Sequence, residues 1–194
     1  MDKIKSAWEI ALEKTKEVKA DRESLKEHEY TEKGKMIVSQ FFDNPEKVDL
    51  KDALNSVEKK YQPHLKKGML EALLSNLTLP LTDYANQRSS RVKAAFCALS
   101  KEAKQANNIF SELEKFFSRY QKDREKIQEQ IKTQYMPRLK QKAAALAQQL
   151  GAQVELDPFA DPEFNALLKK TLNQLDEGYN QILKQAKEEL KTIF

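Results

Sequence analysis

Val92-Lys-Ala-Ala-Phe96-Cys-Ala-Leu99-Ser-Lys-Glu-Ala103-Lys-Gln-Ala106-Asn-Asn-Ile-Phe110-Ser-Glu-Leu113-Glu-Lys-Phe-Phe117-Ser-Arg-Tyr120 places an apolar or small residue at alternating steps of four and three. After Arg124 the series resumes at Ile127 and Ile131. An α-helix turns once in about 3.6 residues, so such a series follows one side of it, as the seam of a coiled coil does. No Gly or Pro interrupts the run before Pro137. The pattern predicts one long central helix over 83–151, roughly 100 Å long at a rise of 1.5 Å per residue. Val92, Phe96, Leu99, Phe110, Leu113, Phe117, Ile127 and Ile131 are the candidate packing or oligomer seam, against which the rest of the chain must find its place.

Upstream, Ile4, Trp8, Ala11, Thr15, Val18, Arg22, Leu25 and Glu29 keep the same rhythm and predict a first helix over 3–33. Gly34 either ends that helix or loosens it, since an interior Gly costs only ~1 kcal/mol against Ala. Met36, Ile37, Val38, Phe41 and Phe42 would carry it on to the stop at Asp43-Asn44-Pro45. Asp49 reads as the N-cap of a short helix presenting Leu50, Ala53, Leu54 and Val57. Pro63 suits a helix's first turn, where its missing N–H costs nothing. Leu65, Met69, Leu70, Leu73, Leu74 and Leu77 then form the densest apolar stretch in the chain, a helical plug. Residues 1–82 are therefore expected to form a helix and plug against the proximal part of the long helix.

Downstream, Ile131, Tyr135, Leu139 and Ala143 are spaced by fours, a stutter that coincides with Pro137 and predicts a kink. Gly151 is a helix stop, and residues 152–161 form a connector with two Asp-Pro pairs. Asp161 caps a last helix with Pro162 at its first position. Its expected stripe is Phe164, Leu168, Leu172, Leu175, Tyr179, Ile182, Ala186 and Ile193. A short connector sends residues 152–194 back antiparallel along the distal long helix.

Charge supports that return. The net charge is +4, yet residues 83–151 carry +7 and residues 152–194 carry −3. With 33 % charged and 40 % hydrophobic residues, the chain reads as a soluble protein with a thin core. No stretch approaches the roughly 18–20 apolar residues of a membrane span. The opening residues lack the apolar core of a signal peptide. Cys97 has no second cysteine to pair with. A cytoplasmic protein is the expectation.

The search for chemistry returns no catalytic, cofactor-binding or metal-binding set. The two histidines, His28 and His64, stand in no metal-ligand spacing, and there is no Gly-rich phosphate loop. Cys97, beside Phe96, reads as a small partly buried hydrophobe. The basic region of Arg119, Lys122, Arg124, Lys126, Lys132, Arg138, Lys140 and Lys142 faces only Asp123, Glu125 and Glu129 in its own stretch. It can pair with the acidic last helix. Alternatively Arg119, Lys122, Lys126, Lys132, Arg138 and Lys142 can hold a nucleic acid or an anionic membrane by its phosphates. Arg124, inside the apolar seam, either fixes register or snorkels out of it.

The opening run Asp2-Lys-Ile-Lys-Ser-Ala-Trp8-Glu-Ile-Ala-Leu-Glu-Lys-Thr-Lys-Glu-Val18-Lys-Ala-Asp-Arg22 resembles the start of uncharacterised bacterial helical proteins of about this length, with an echo in Leu77-Thr78-Leu79-Pro80. The resemblance implies no activity. The reading is an all-α, elongated helical bundle, an antiparallel coiled-coil hairpin on one long central helix with a small plug at one end. Its expected role is that of a non-enzymatic structural or adaptor protein, a scaffold, stalk or chaperone-like rod. Its expected partners are proteins, a second copy of itself included, and no small-molecule substrate or cofactor is implied.

Overall fold

In the computed structural model, the backbone is described for residues 7–194 and the side chains for 22–82 and 87–194. The described residues form six α-helices, one 3₁₀ turn and no strand. The helices are α1 (Ala7–Asp43), α2 (Leu50–Asn55), α3 (Gln62–Ser75), α4 (Asp83–Leu99), α5 (Ala103–Leu150) and α6 (Pro162–Ile193). Ile4, and the side chains of Trp8, Ala11, Thr15 and Val18 in the first predicted stripe, lie outside the described residues. None of the helices searched is long and apolar enough to cross a membrane. The chain divides into two compact units. The first comprises Met1–Leu77, Gln87–Ala106 and Ile193–Phe194, and the second Thr78–Asn86 and Asn107–Thr192.

In the first unit, α1 runs through Gly34 without a break and stops at Asp43, as the Asp-Asn-Pro sequence requires. Gly34 neither ends nor loosens the helix; it lets α3 come close. A Cβ at Gly34 would stand 2.2 Å from the carbonyl oxygen of Leu65. One at Gly68 would stand 1.9 Å from the carbonyl oxygen of Thr31. The two helices thus touch backbone to backbone. Around this crossing Val38, Leu65, Met69 and Leu73 are wholly buried, with Phe96 and Val92 of α4. Tyr30 stacks on Tyr61 with ring centres 4.5 Å apart. Asp49 caps α2 by accepting from the amides of Lys51 and Asp52.

The long helix begins at Ala103, not at Asp83: the run expected as one piece is broken at Ser100-Lys101-Glu102. At the break the Ser100 hydroxyl accepts from the Glu102 amide at 3.1 Å while donating to the Ile193 carbonyl at 2.8 Å. Such local side-chain bonds offer the backbone an alternative to the helix ladder. Leu99 and Ala106 on either side stay buried, so the apolar rhythm passes over the break unchanged.

In the second unit, α5 continues through Pro137; Pro137 and Thr133, the residue whose carbonyl a proline ring four positions on crowds, are both exposed. It ends at Gly151, whose φ of 68° is the left-handed cap conformation. Asp157 and Asp161 then use their carboxylates alike. Asp157 accepts from the Phe159 amide to cap the 3₁₀ turn Pro158–Ala160, and Asp161 accepts from the Glu163 amide to start α6. Contacts between α5 and α6 climb one helix as they descend the other. Phe116 meets Tyr179, Tyr120 meets Asp176, Tyr135 meets Phe164, and Lys142 meets Asp161. The pair is antiparallel.

Candidate interaction surface

The α5–α6 pair is held by a seam that the apolar pattern of α6 reveals only in part. Leu172, Leu183, Leu190 and Ile193 are buried, and Tyr179 and Ala186 half-buried. With Asp176 they restore alternating steps of four and three. The expected stripe therefore slips at its centre: the seam passes through Asp176 and Leu183, not through Leu175 and Ile182. Ile182 is 52 % exposed. Asp176 is tolerated because Arg124 occupies the matching place on α5. Arg124 donates to the two Asp176 oxygens at 3.0 and 3.2 Å, and the fully buried Tyr120 donates to the same carboxylate at 2.6 Å. Burial, and then the bond to Asp176, push the Tyr120 hydroxyl up to about 12. Tyr179 donates to Asp123 at 2.6 Å, and burial followed by that carboxylate likewise raises its hydroxyl to about 12. Of the two readings of Arg124, this geometry fits the one in which a polar residue fixes register.

A second polar group closes the distal end. Lys142 donates to Asp161 at 2.7 Å, to Glu163 at 2.8 Å and to the Tyr135 hydroxyl at 3.0 Å. Arg138 adds a contact to Glu163 at 3.0 Å. The Lys142 ammonium holds the Asp161 carboxyl down at about 2, and it lowers Glu163 as well. Beneath this clasp Ile131, Tyr135, Leu139 and Phe164 form a buried cluster, so the stutter spaced by fours is packed.

The predicted seam residues Val92, Phe96 and Leu99 are buried in the first unit, and Phe110, Leu113, Phe117 and Ile131 in the second; Ile127 is half-buried there. The seam is thus used within the chain. Of the basic residues singled out, Arg138 and Lys142 are spent on α6. Arg119, Lys122 and Lys126 are exposed and Lys132 half-buried, and none of the four meets a carboxylate among the described residues. Burial raises the Cys97 thiol above its ordinary value. Among the described residues no three His, Cys, Asp or Glu side chains gather as a metal would need.

On the surface of the second unit lies an apolar groove of about 450 Å³ between α5 and α6. Its floor is Ile109, Leu113, Phe116, Ile182 and Ala186, and its rim Asn108, Glu112, Gln185 and Glu189. Ile109 and Phe116 lie seven residues apart on α5, as do Leu175 and Ile182 on α6. Each pair is one heptad beside the seam, a second and shorter stripe. That spacing is present in the sequence, but Leu175 and Ile182 also continue the rhythm of Leu168 and Leu172, which masks it.

No curated protein and no solved structure matches the chain. A family model does match over residues 51–192, which is most of α2 through α6. By that match the chain belongs to a family of unknown function, DUF6657.

Proposed function

We propose that this is a non-enzymatic cytoplasmic adaptor or scaffold, working through coiled-coil contacts between helices. The observation that carries the reading is the second apolar stripe on the α5–α6 pair, with Ile182 at its centre half open to solvent. A two-helix pair that keeps apolar residues outside its own seam offers a groove of the kind a further helix fills. The rigid polar layer at Tyr120, Arg124 and Asp176 would hold that groove in one register.

The test is a photo-crosslinking side chain at Gln185, on the groove rim, and another at exposed Lys169, away from it. Irradiation in cells should give a discrete protein adduct from Gln185 and none from Lys169. Absence of an adduct at Gln185 would remove the adaptor reading.

A second reading rests on Arg119, Lys122, Lys126 and Lys132, which form no ion pair among the described residues. They would hold an anionic partner, a nucleic acid or an acidic membrane surface. Four phosphate contacts on duplex DNA would give a slope of log affinity against log salt of about −3.6. Failure to bind either DNA or phosphatidylserine vesicles at low salt disposes of it.

A further inference from the structure

We propose that the groove is closed by a second copy of this chain, whose α5 crosses it antiparallel. The inference rests on reading the groove as a docking surface, and it names the occupant. The charges beside the floor are segregated along the helix pair. Glu112, Arg119 and Lys126 follow one another at intervals of seven residues, so they form one row beside the Ile109–Phe116 stripe, on the side away from the seam, acidic at one end and basic at the other. Glu189 of α6 lines the acidic end, and no cation meets its carboxylate among the described residues. Among the described residues Glu112 forms an ion pair with Lys115 of its own helix alone, a pair 73 % exposed on both sides, which holds it weakly.

A surface of this kind is its own complement when turned about a two-fold axis. With the axis passing near Lys115 and Phe116, Glu112 falls opposite Arg119 of the second copy, and Glu189 falls beside its Lys126. The apolar centre, Phe116 and Ile182, is then covered from both sides. A parallel copy would set acid on acid and base on base, which is disfavoured. Antiparallel self-pairing thus satisfies three features at once: the open Ile182, and Glu189 on one side with Arg119 and Lys126 on the other, none of which forms an ion pair among the described residues.

Sedimentation equilibrium of the full chain, taken up to about 1 mM so that even weak pairing registers, reads the assembly directly. The expected result is a dimer. Arg119→Glu should weaken it at least about tenfold, because it sets like charges together. Arg119→Glu combined with Glu112→Arg should restore it, since the reversed pairs again match. Ile182→Glu should abolish it while leaving the helical circular dichroism unchanged, its side chain being outside the seam. A monomer at every concentration overturns the proposal, as does a dimer indifferent to all three variants. If the chain is monomeric yet Gln185 still crosslinks a different protein, the self-pairing fails and the adaptor reading stands. A monomer that binds DNA or acidic vesicles through Arg119 and Lys126 likewise overturns the pairing.

Discussion

Three glycines separate two reasons for lacking a side chain. At Gly34 and Gly68 a methyl group would fall on the facing backbone of α3 or α1, and backbone cannot rotate away as a side chain can. Gly34→Ala and Gly68→Ala should each cost about 2–3 kcal/mol despite the better helix propensity of Ala, because overpacking outweighs it. At Gly178, in the exposed middle of α6, nothing lies within 4 Å of the same position. Gly178→Ala should stabilise by about 0.5–1 kcal/mol. Urea unfolding of the three variants checks both signs. Asp161 makes a different kind of test. Its folded value of about 2 lies below the ordinary 3.8, so folding favours the carboxylate. The stabilisation is complete above pH about 4 and disappears as pH falls towards 2. Thermal midpoints of Asp161→Asn and the parent chain should therefore differ at pH 6 and converge across that window. A difference that persists at pH 2 would mean that capping, not charge, carries the effect.

At the scale of elements, the decisive interaction is the polar layer that joins the two seams. Removing one partner leaves the other charged group without a mate among half-buried neighbours, which is costlier than losing the bond. Asp176→Ala should destabilise the α5–α6 pair by about 2 kcal/mol, strand the Arg124 guanidinium, and lower the Tyr120 hydroxyl by removing its acceptor. Denaturant unfolding reads the first effect and ultraviolet titration of the tyrosines the last. This layer also shows what the sequence could disclose. The α5 seam was legible through Arg124 because its other members are apolar, and helix ends at Asp43, Gly151 and Asp161 were legible from their capping chemistry. The α6 seam was misplaced by one residue at two positions because apolar Leu175 and Ile182 outweighed Asp176 and its neighbours. A charged residue in one seam calls for an opposite charge in the facing seam, and that rule would have selected Asp176. The break at Ser100 left no trace in the periodicity, since Leu99 and Ala106 remain in phase across it. The role of Gly34 was hidden too: a close backbone approach depends on another helix, and no local pattern reports it.

For the molecule as a whole, the chain order and the packing order differ. The first unit is assembled from three separate segments, and its last contribution is only Ile193 and Phe194, carried there by the end of α6. Ile193 is buried, and its carbonyl accepts from Ser100 at 2.8 Å. The ring of Phe194 lies 4.9 Å from that of wholly buried Phe96, and the Lys66 ammonium stands 4.7 Å from the Phe194 ring centre and donates to the Phe194 carbonyl. Two residues thus supply apolar cover, an aromatic pair and two hydrogen bonds to a unit whose other segments end at Ala106. Deleting both should cost that unit on the order of 3 kcal/mol, from the cavity left by Ile193 and the lost ring pair. The loss should be local. Amide hydrogen exchange should quicken in α3 and α4, around Leu65, Met69, Val92 and Phe96. The amides of Phe110–Leu139 in α5 and Phe164–Leu183 in α6, held by their own seam and polar layer, should keep their protection. Equal loss of protection in both sets would show that the two units open together, and no loss in α3 would show that the terminal pair contributes nothing to the first unit's stability.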